Sequence, residues 1–238
     1  ADDRQLGHAM GRYAVERLKG RRIAIVDDRT AYGEGIADEF AGGVEAAGGR
    51  IAVREPTHDR EADFRRIVAR LKTIQPDLVF YGGMDHQAGA LLRDMASAGV
   101  QVPLLGGDGI CTLDLVAFAG SAVRQDFIVC GESGLALGRT PQSRAFQAAF
   151  RKRFGIDAQL YAPFVYDAVM VMADAMARAG SAEPQHYLPL LATTRAHPGV
   201  TDTIGFSPDG NLASGWVMLY TYRNGRREVL EAVRAVGP

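Results

Sequence analysis

The 238-residue sequence lacks a long apolar run, an excess of charge and a visible signal peptide. No stretch approaches the roughly 18 apolar residues that a membrane helix needs. Its 27 basic residues nearly cancel its 28 acidic ones. This balance argues against a surface built for nucleic acid or anionic lipid, and no nucleic-acid partner is expected. Because residues 1–5 are mostly polar and resemble no secretory leader, we interpret the sequence as a mature or trimmed chain.

Motifs for nucleotide binding, nucleophilic catalysis and metal binding are missing as well. No Gly-x-x-x-x-Gly-Lys-Ser/Thr loop and no Gly-x-Gly-x-x-Gly loop follows an apolar run. The run Gly131-Glu132-Ser133-Gly134 suggests a nucleophile elbow, but position 135, where that motif needs glycine, is leucine. The five histidines, at positions 8, 58, 86, 186 and 197, do not fall at metal-ligand spacing. The sequence predicts a protein that is not an enzyme and carries no metal or cofactor.

What the sequence does contain is an alternation of strands and helices between residues 23 and 130. Apolar runs predict strands at 23–26, 51–53, 77–81, 102–106 and 127–130, and the intervening stretches predict helices at 33–48, 61–72 and 86–99. The strand runs are continuously apolar, which is typical of a parallel sheet covered by helices on both faces. We predict an α/β fold with a doubly wound parallel sheet.

After residue 135 the pattern changes to consecutive helices. The sequence predicts helices at 142–154, 162–180 and 184–193 before strand-like segments return at 203–206 and 217–222. The second of these helices is apolar on more than one side, with Phe164, Val169 and Met172 among its residues, so it should pack against something. We infer that a partner sheet is missing from this chain or is supplied by another chain.

The loops after the predicted strands hold candidates for ligand recognition, because ligands of such sheets bind at the carboxyl ends of the strands. Asp108, in a glycine-rich loop, either pairs with an ammonium group or caps a helix near 112–119 or stabilises the turn. Tyr32 either walls a pocket or is a packed loop aromatic. Asp85 is either the cap of helix 86–99 or a ligand contact.

Cys111 and Cys130, the only two cysteines, both fall near the carboxyl edge of adjacent predicted strands. A disulfide between them is geometrically reasonable, and an oxidising compartment would allow it. The alternative is a pair of buried free thiols.

Four segments, in order along the chain, resemble the leucine/isoleucine/valine-binding proteins. They are VDDRTAYGEGIAD (26–38), YGGMD (81–85), LGGDG (105–109) and YAPFVYDAV (161–169). These relatives are type I periplasmic binding proteins of ABC transporters, with two α/β lobes joined by three crossovers and the ligand in the cleft between them. The resemblance implies that residues 1–131 are lobe two, nearly complete. Residues 136–204 would be the helical part of lobe one, which is partial and lacks most of its sheet, and residues 215–238 would return to lobe two.

The same resemblance implies roles for five residues. Asp108 matches the acidic residue that holds the α-ammonium group of the ligand, and Tyr32 matches the aromatic residue that lines the cleft from lobe two. Met84 and Asp85 occupy a loop where relatives often carry tyrosine, which puts the specificity for the ligand side chain in doubt. Tyr161 would face the cleft from lobe one. The residues that hold the ligand carboxylate in the family would lie before residue 1.

The function implied by the resemblance is capture of a small aliphatic amino acid, followed by lobe closure and delivery to an ABC permease of the inner membrane. A periplasmic location and a signal peptide in the precursor follow from that reading. A dimer through the helices of 136–204 would supply the packing partner that they lack. The alternative function is the ligand-sensing domain of an amide- or amino-acid-responsive regulator, since the fold alone does not fix the function.

Overall fold

The computed structural model describes residues 2–134, 138, 140–158, 161–213 and 215–235. The helices in these residues are α1 (Asp3–Glu16), α2 (Ala31–Ala46), α3 (Arg65–Ile74), α4 (Asp85–Ser97), α5 (Asp114–Ala119), α6 (Pro141–Phe154), α7 (Ala162–Ala179) and α8 (Pro184–Ala192). The strands are β1 (Arg22–Asp27), β2 (Arg50–Pro56), β3 (Leu78–Gly82), β4 (Leu104–Gly106), β5 (Ile128–Ser133), β6 (His197–Pro198), β7 (Thr203–Ile204), β8 (Trp216–Arg223) and β9 (Arg226–Arg234).

The chain folds as two compact units. The sheet unit comprises residues 2–133 and 217–235, and the helical unit comprises the described part of residues 134–216. No helix in the described ranges is long and apolar enough to cross a membrane.

The sheet unit is built on one seven-stranded sheet in the order β2-β1-β3-β4-β5-β8-β9. Strands β2, β1, β3, β4 and β5 pair in parallel, and β8 pairs with β5 in the antiparallel direction. Consecutive residues along β3 and β4 are buried. Because neighbouring side chains in a strand point to opposite faces, this burial requires cover on both faces of the sheet. The predicted α/β fold is confirmed, and the structure adds an antiparallel strand to the parallel core.

Two helix starts differ from the sequence prediction. Helix α1 was not predicted, although a capping box joins Asp2 and Gln5 at its start and Leu6 and Met10 are fully buried. Helix α3 begins at Arg65 rather than at 61. Its start is delayed because the amide of Phe64 donates to the carboxylate of Asp94 at 2.8 Å, which anchors the buried Phe64 ahead of the first turn.

The helical unit packs its helices along one face only. On α7, Val171 and Ala175 are buried, whereas Val165 and Val169 are 58% and 55% exposed. Asp167 ties α7 to the loop between β6 and β7 by accepting hydrogen bonds from Val200 and Thr201. An open groove of about 970 Å³ runs beside α6 and α7. Its lining includes Phe146, Phe150, Phe154, Tyr161, Val165 and Tyr166. Within the described chain, these helices therefore present an uncovered apolar face.

Candidate functional site

The candidate site lies where strands β1, β3 and β4 end in the sheet unit. These strands are adjacent and parallel, so their carboxyl ends meet at one edge of the sheet. The loops that follow them carry Tyr32, Met84 and Asp85, and Asp108. This edge is the usual place for ligands in open α/β sheets.

The loop after β1 is held by a buried carboxylate. Asp28 Oδ1 accepts hydrogen bonds from the Thr30 amide at 3.0 Å and from its hydroxyl at 2.6 Å. Thr30 in turn caps α2, because its hydroxyl accepts a hydrogen bond from the amide of Gly33 at 2.9 Å. These hydrogen bonds fix the backbone at the start of α2, and the side chain of Tyr32 projects from this fixed first turn.

Tyr32 connects this loop to the loop after β4. Its hydroxyl donates to Asp108 Oδ1 at 2.7 Å and accepts a hydrogen bond from the amide of Gly109 at 2.9 Å. Burial, and then the nearby Asp108 carboxylate, raise the pKa of Tyr32 above its ordinary value, so the hydroxyl stays protonated and remains a donor. The structure therefore brings together Tyr32 and Asp108, two residues that lie 76 positions apart.

Glycines let the three loops approach closely. A Cβ atom on Gly109 would lie 2.5 Å from the carbonyl oxygen of Gly83 and 2.9 Å from the ring of Tyr32. A Cβ atom on Gly33 would lie 2.1 Å from the carboxylate of Asp28. These distances leave no room for a side chain. The close contact of Gly83 and Gly109 also places the backbone of Met84 beside the turn that begins at Asp108.

Met84 and Asp85 have different surroundings. Met84 occupies the N-cap position of α4, and its side chain is 47% exposed. Asp85 is the first helical residue, and its carboxylate accepts a hydrogen bond from the hydroxyl of Thr112 at 2.5 Å. The alternative that Asp85 caps this helix is wrong. Its carboxylate instead ties the start of α4 to the loop after β4.

The helix-capping alternative for Asp108 is wrong as well. Asp108 begins a single 3-10 turn, Asp108–Ile110. Helix α5 begins later, at Asp114, with Leu113 at its cap position. The carboxylate of Asp108 is engaged by Tyr32 instead, at the edge of the sheet.

The carboxylate of Asp108 influences two other acidic side chains of the sheet unit. Burial raises the pKa of Asp3, and the Asp108 carboxylate raises it further. Burial also raises the pKa of Glu132, where the ion pair with Arg227 opposes the shift and Asp108 adds to it. Both effects require Asp108 to lie close to the other two carboxyl groups. A cationic group such as an ammonium ion would be stabilised beside them.

The loop that carries Asp108 is also anchored to strands β5, β8 and β9. The disulfide expected between Cys111 and Cys130 is present, with an S–S distance of 2.09 Å, whereas the contacts from β8 and β9 were not predicted from the sequence. The hydroxyl of Tyr222 donates to the carbonyl of Thr112 at 2.6 Å. Arg227 donates to the carbonyl of Cys111 and pairs with the buried Glu132. The turn sequence Asn224-Gly225, a strong signal for two paired strands, was the available clue to this part of the fold.

Tyr161 lies in the helical unit, directly before α7, and is 55% exposed. No group of three or more His, Cys, Asp or Glu side chains suited to a metal ion occurs in the ranges that the structure describes.

Comparisons with known proteins agree on one family. The model of the family described as periplasmic binding protein matches residues 1–226. The Leu/Ile/Val-binding protein homolog 1 of Brucella melitensis is 28% identical, over 94% of this chain and 59% of its own length. The leucine-, isoleucine-, valine-, threonine-, and alanine-binding protein of Pseudomonas aeruginosa is 31% identical, over 88% of this chain and 55% of its own length.

A solved structure shares the fold. The branched-chain amino acid transporter substrate-binding protein LivJ of Streptococcus pneumoniae, in complex with isoleucine, superposes with a TM-score of 0.84. It is 25% identical, and the match covers 98% of this chain and 66% of that protein. The chain thus spans less than two thirds of the length of these relatives. With a family match along residues 1–226 and a shared α/β architecture, the chain belongs to the periplasmic binding protein family and has the type I fold.

Proposed function

We propose that this chain is the ligand-binding part of a substrate-binding protein that serves an ABC transporter for branched-chain or related aliphatic amino acids. The observation that carries the proposal is the Tyr32–Asp108 pair at the edge of the sheet, where a carboxylate is oriented by a hydroxyl at 2.7 Å. The relatives support the ligand class, since they are named for binding leucine, isoleucine and valine. Those names describe binding proteins rather than enzymes.

In this proposal Asp108 accepts hydrogen bonds from the α-ammonium group of the ligand. A charge-assisted contact of this type is stronger than a neutral hydrogen bond. The carboxyl group of Asp3 lies near enough to Asp108 to add to the attraction, whereas Glu132 is already ion-paired with Arg227. The ring of Tyr32 forms a wall of the site, and its hydroxyl fixes the orientation of Asp108.

Met84 supplies apolar surface for the ligand side chain in the same proposal. Met84 is 47% exposed at the start of α4, directly after Gly83, whose carbonyl approaches Gly109 in the Asp108 turn. An aliphatic ligand buries apolar area against such a side chain. Asp85 contributes by holding the loop through Thr112. Tyr161 contacts the ligand from lobe one.

The proposed domain assignment follows the family template. Residues 1–131 would form lobe two, 136–204 the helical part of lobe one, and 215–238 would return to lobe two. The ligand would contact both lobes only when they are shut, so binding would drive a hinge closure. The closed protein would then deliver its ligand to an inner-membrane permease from the periplasm.

Calorimetric titration with leucine, isoleucine, valine and alanine tests this function on the product of the whole open reading frame. We expect Asp108→Ala to weaken binding of the preferred ligand by about 1.5–3 kcal/mol, the range for a hydrogen bond to a charged group. Asp114→Ala is the matched control, because Asp114 is an exposed carboxylate in the first turn of α5. Equal affinities for the wild type and Asp108→Ala would remove Asp108 from the site.

A further inference from the structure

We propose that Cys111, Cys130, Tyr222 and Arg227, here called the loop brace, position Asp108 for ligand binding. The brace would let strands β5, β8 and β9 set the affinity of a site on the loops of β1, β3 and β4. The inference rests on the proposed function for the identity of the ligand, whereas the loop geometry is a matter of the fold alone.

The disulfide is the first part of the brace. Cys111 follows the 3-10 turn that begins at Asp108, and its amide donates to the carbonyl of Asp108 at 3.0 Å. Its partner Cys130 lies in β5, and both cysteines are fully buried. The bond therefore ties the turn covalently to the next strand, only three residues after Asp108.

Tyr222 is the second part of the brace. It is fully buried in β8, and its hydroxyl donates to the carbonyl of Thr112 at 2.6 Å. The same hydroxyl lies 3.2 Å from the carbonyl oxygen of Ile110. Burial raises the pKa of Tyr222 above its ordinary value, so the hydroxyl stays protonated.

Arg227 is the third part of the brace. Its guanidinium donates to the carbonyl of Cys111 at 2.5 Å and pairs with the carboxylate of Glu132. It also stacks on the ring of Tyr220, with 4.3 Å between Cζ and the ring centroid. The carbonyls of Ile110, Cys111 and Thr112 are thus held in succession by side chains of β8 and β9.

Such a brace matters for binding because a loop that is ordered before the ligand arrives does not have to be ordered by it. Asp108 begins the turn that the brace fixes, and the amide of Gly109 in the same turn donates to Tyr32 at 2.9 Å. If the turn moves, the Asp108 carboxylate leaves its position beside Tyr32. The Asp108 carboxylate would then lack the short contact to an ammonium ion that a charge-assisted hydrogen bond requires.

The first test needs no ligand. Amide hydrogen exchange is measured for the whole gene product, for Tyr222→Phe and for the double variant Cys111→Ala/Cys130→Ala. We expect exchange at Gly109 to accelerate about tenfold or more in both variants, because the turn opens locally. Tyr13→Phe is the matched control, since Tyr13 is a buried tyrosine of α1 whose hydroxyl contacts Glu231 instead. Unchanged exchange at Gly109 in Tyr222→Phe overturns the proposal, even if the double variant fails to fold.

The second test is a double-mutant cycle on leucine affinity. We expect Tyr222→Phe to weaken binding about five- to tenfold in the wild-type background and less than about twofold in the Asp108→Asn background, since coupled residues are not additive. An equal loss in both backgrounds would mean that Tyr222 acts only on general stability, and the positioning role would be wrong. If Asp108→Asn alone leaves the affinity unchanged, the proposed ligand contact fails, while the exchange experiment still decides whether the brace fixes the turn.

Discussion

Tyr32→Phe isolates the hydroxyl that joins the loops after β1 and β4. The substitution keeps the ring and removes one hydrogen bond to a carboxylate, 2.7 Å long, and one from a backbone amide, 2.9 Å long. The first type contributes about 1.5–3 kcal/mol and the second about 0.5–1.5 kcal/mol, so the two together contribute about 2–4.5 kcal/mol. Because Tyr32 is only half-buried and water reaches the loop, we expect a loss near the lower limit, about 2 kcal/mol.

Urea unfolding followed by circular dichroism measures this loss as a change in the free energy of unfolding. Tyr187→Phe, in a half-buried tyrosine of α8, provides the comparison and should change the same quantity by less than about 0.5 kcal/mol. A change below about 0.5 kcal/mol in Tyr32→Phe as well would refute the reasoning. The hydroxyl would then not hold the two loops together.

Three further outcomes follow from the packing and the charges. Gly33→Ala should destabilise the protein by about 1–3 kcal/mol in urea unfolding, because the added methyl group would overlap the Asp28 carboxylate in the loop after β1. Gly35→Ala, which has open space around it, should instead stabilise the protein by about 0.5–1 kcal/mol. On α7, Val171→Ala should cost about 1.5–3 kcal/mol, and the exposed Val169→Ala less than about 0.5 kcal/mol; equal costs would contradict the assigned buried face. Two backbone amides lower the pKa of Asp77 below its ordinary value of 3.8. The ionised Asp77 therefore stabilises the folded state above pH 3.8, and this stabilisation is lost as the pH falls through the lowered pKa of the folded state. In that pH window, the free energy of unfolding of Asp77→Asn should therefore fall less steeply with decreasing pH than that of the wild type. Identical slopes would count against the two hydrogen bonds from backbone amides to Asp77.

The core of the sheet unit could be predicted from the sequence because its buried strands and helices have recognisable apolar patterns. Strand β1 was predicted at 23–26 and extends over Arg22–Asp27, and helix α4 was predicted at 86–99 and extends over Asp85–Ser97. In both cases a continuous or periodic apolar pattern reflects packing that surrounds the element.

Strand β9 was not predicted, because it lies at the edge of the sheet and is only partly buried. Its residues include three arginines and two glutamates, so no apolar run marks it. The turn Asn224-Gly225 before it was a better signal than its composition. Helix α1 was not predicted for a different reason: its first turn is polar, and its buried residues come only afterwards.

The members of the candidate site could be proposed from the sequence, but their contacts could not. Tyr32 and Asp108 both follow strands, which is where the fold places ligand-binding loops. Their hydrogen bond depends on the strand order β1-β3-β4, which three-dimensional pairing decides. Tyr222 and Arg227 reach the same loop from β8 and β9, more than a hundred residues later. Nothing in the local pattern of either segment points to the other.

A crystal structure of the whole gene product with isoleucine tests the central claim most directly. The decisive quantity is the distance from the ligand ammonium nitrogen to the nearer carboxylate oxygen of Asp108. We expect about 2.7–2.9 Å, the length of a charge-assisted hydrogen bond, with the ring of Tyr32 against the ligand. A ligand bound elsewhere, or an ammonium group more than about 4 Å from Asp108, would contradict the account, because the attraction there would no longer include a hydrogen bond.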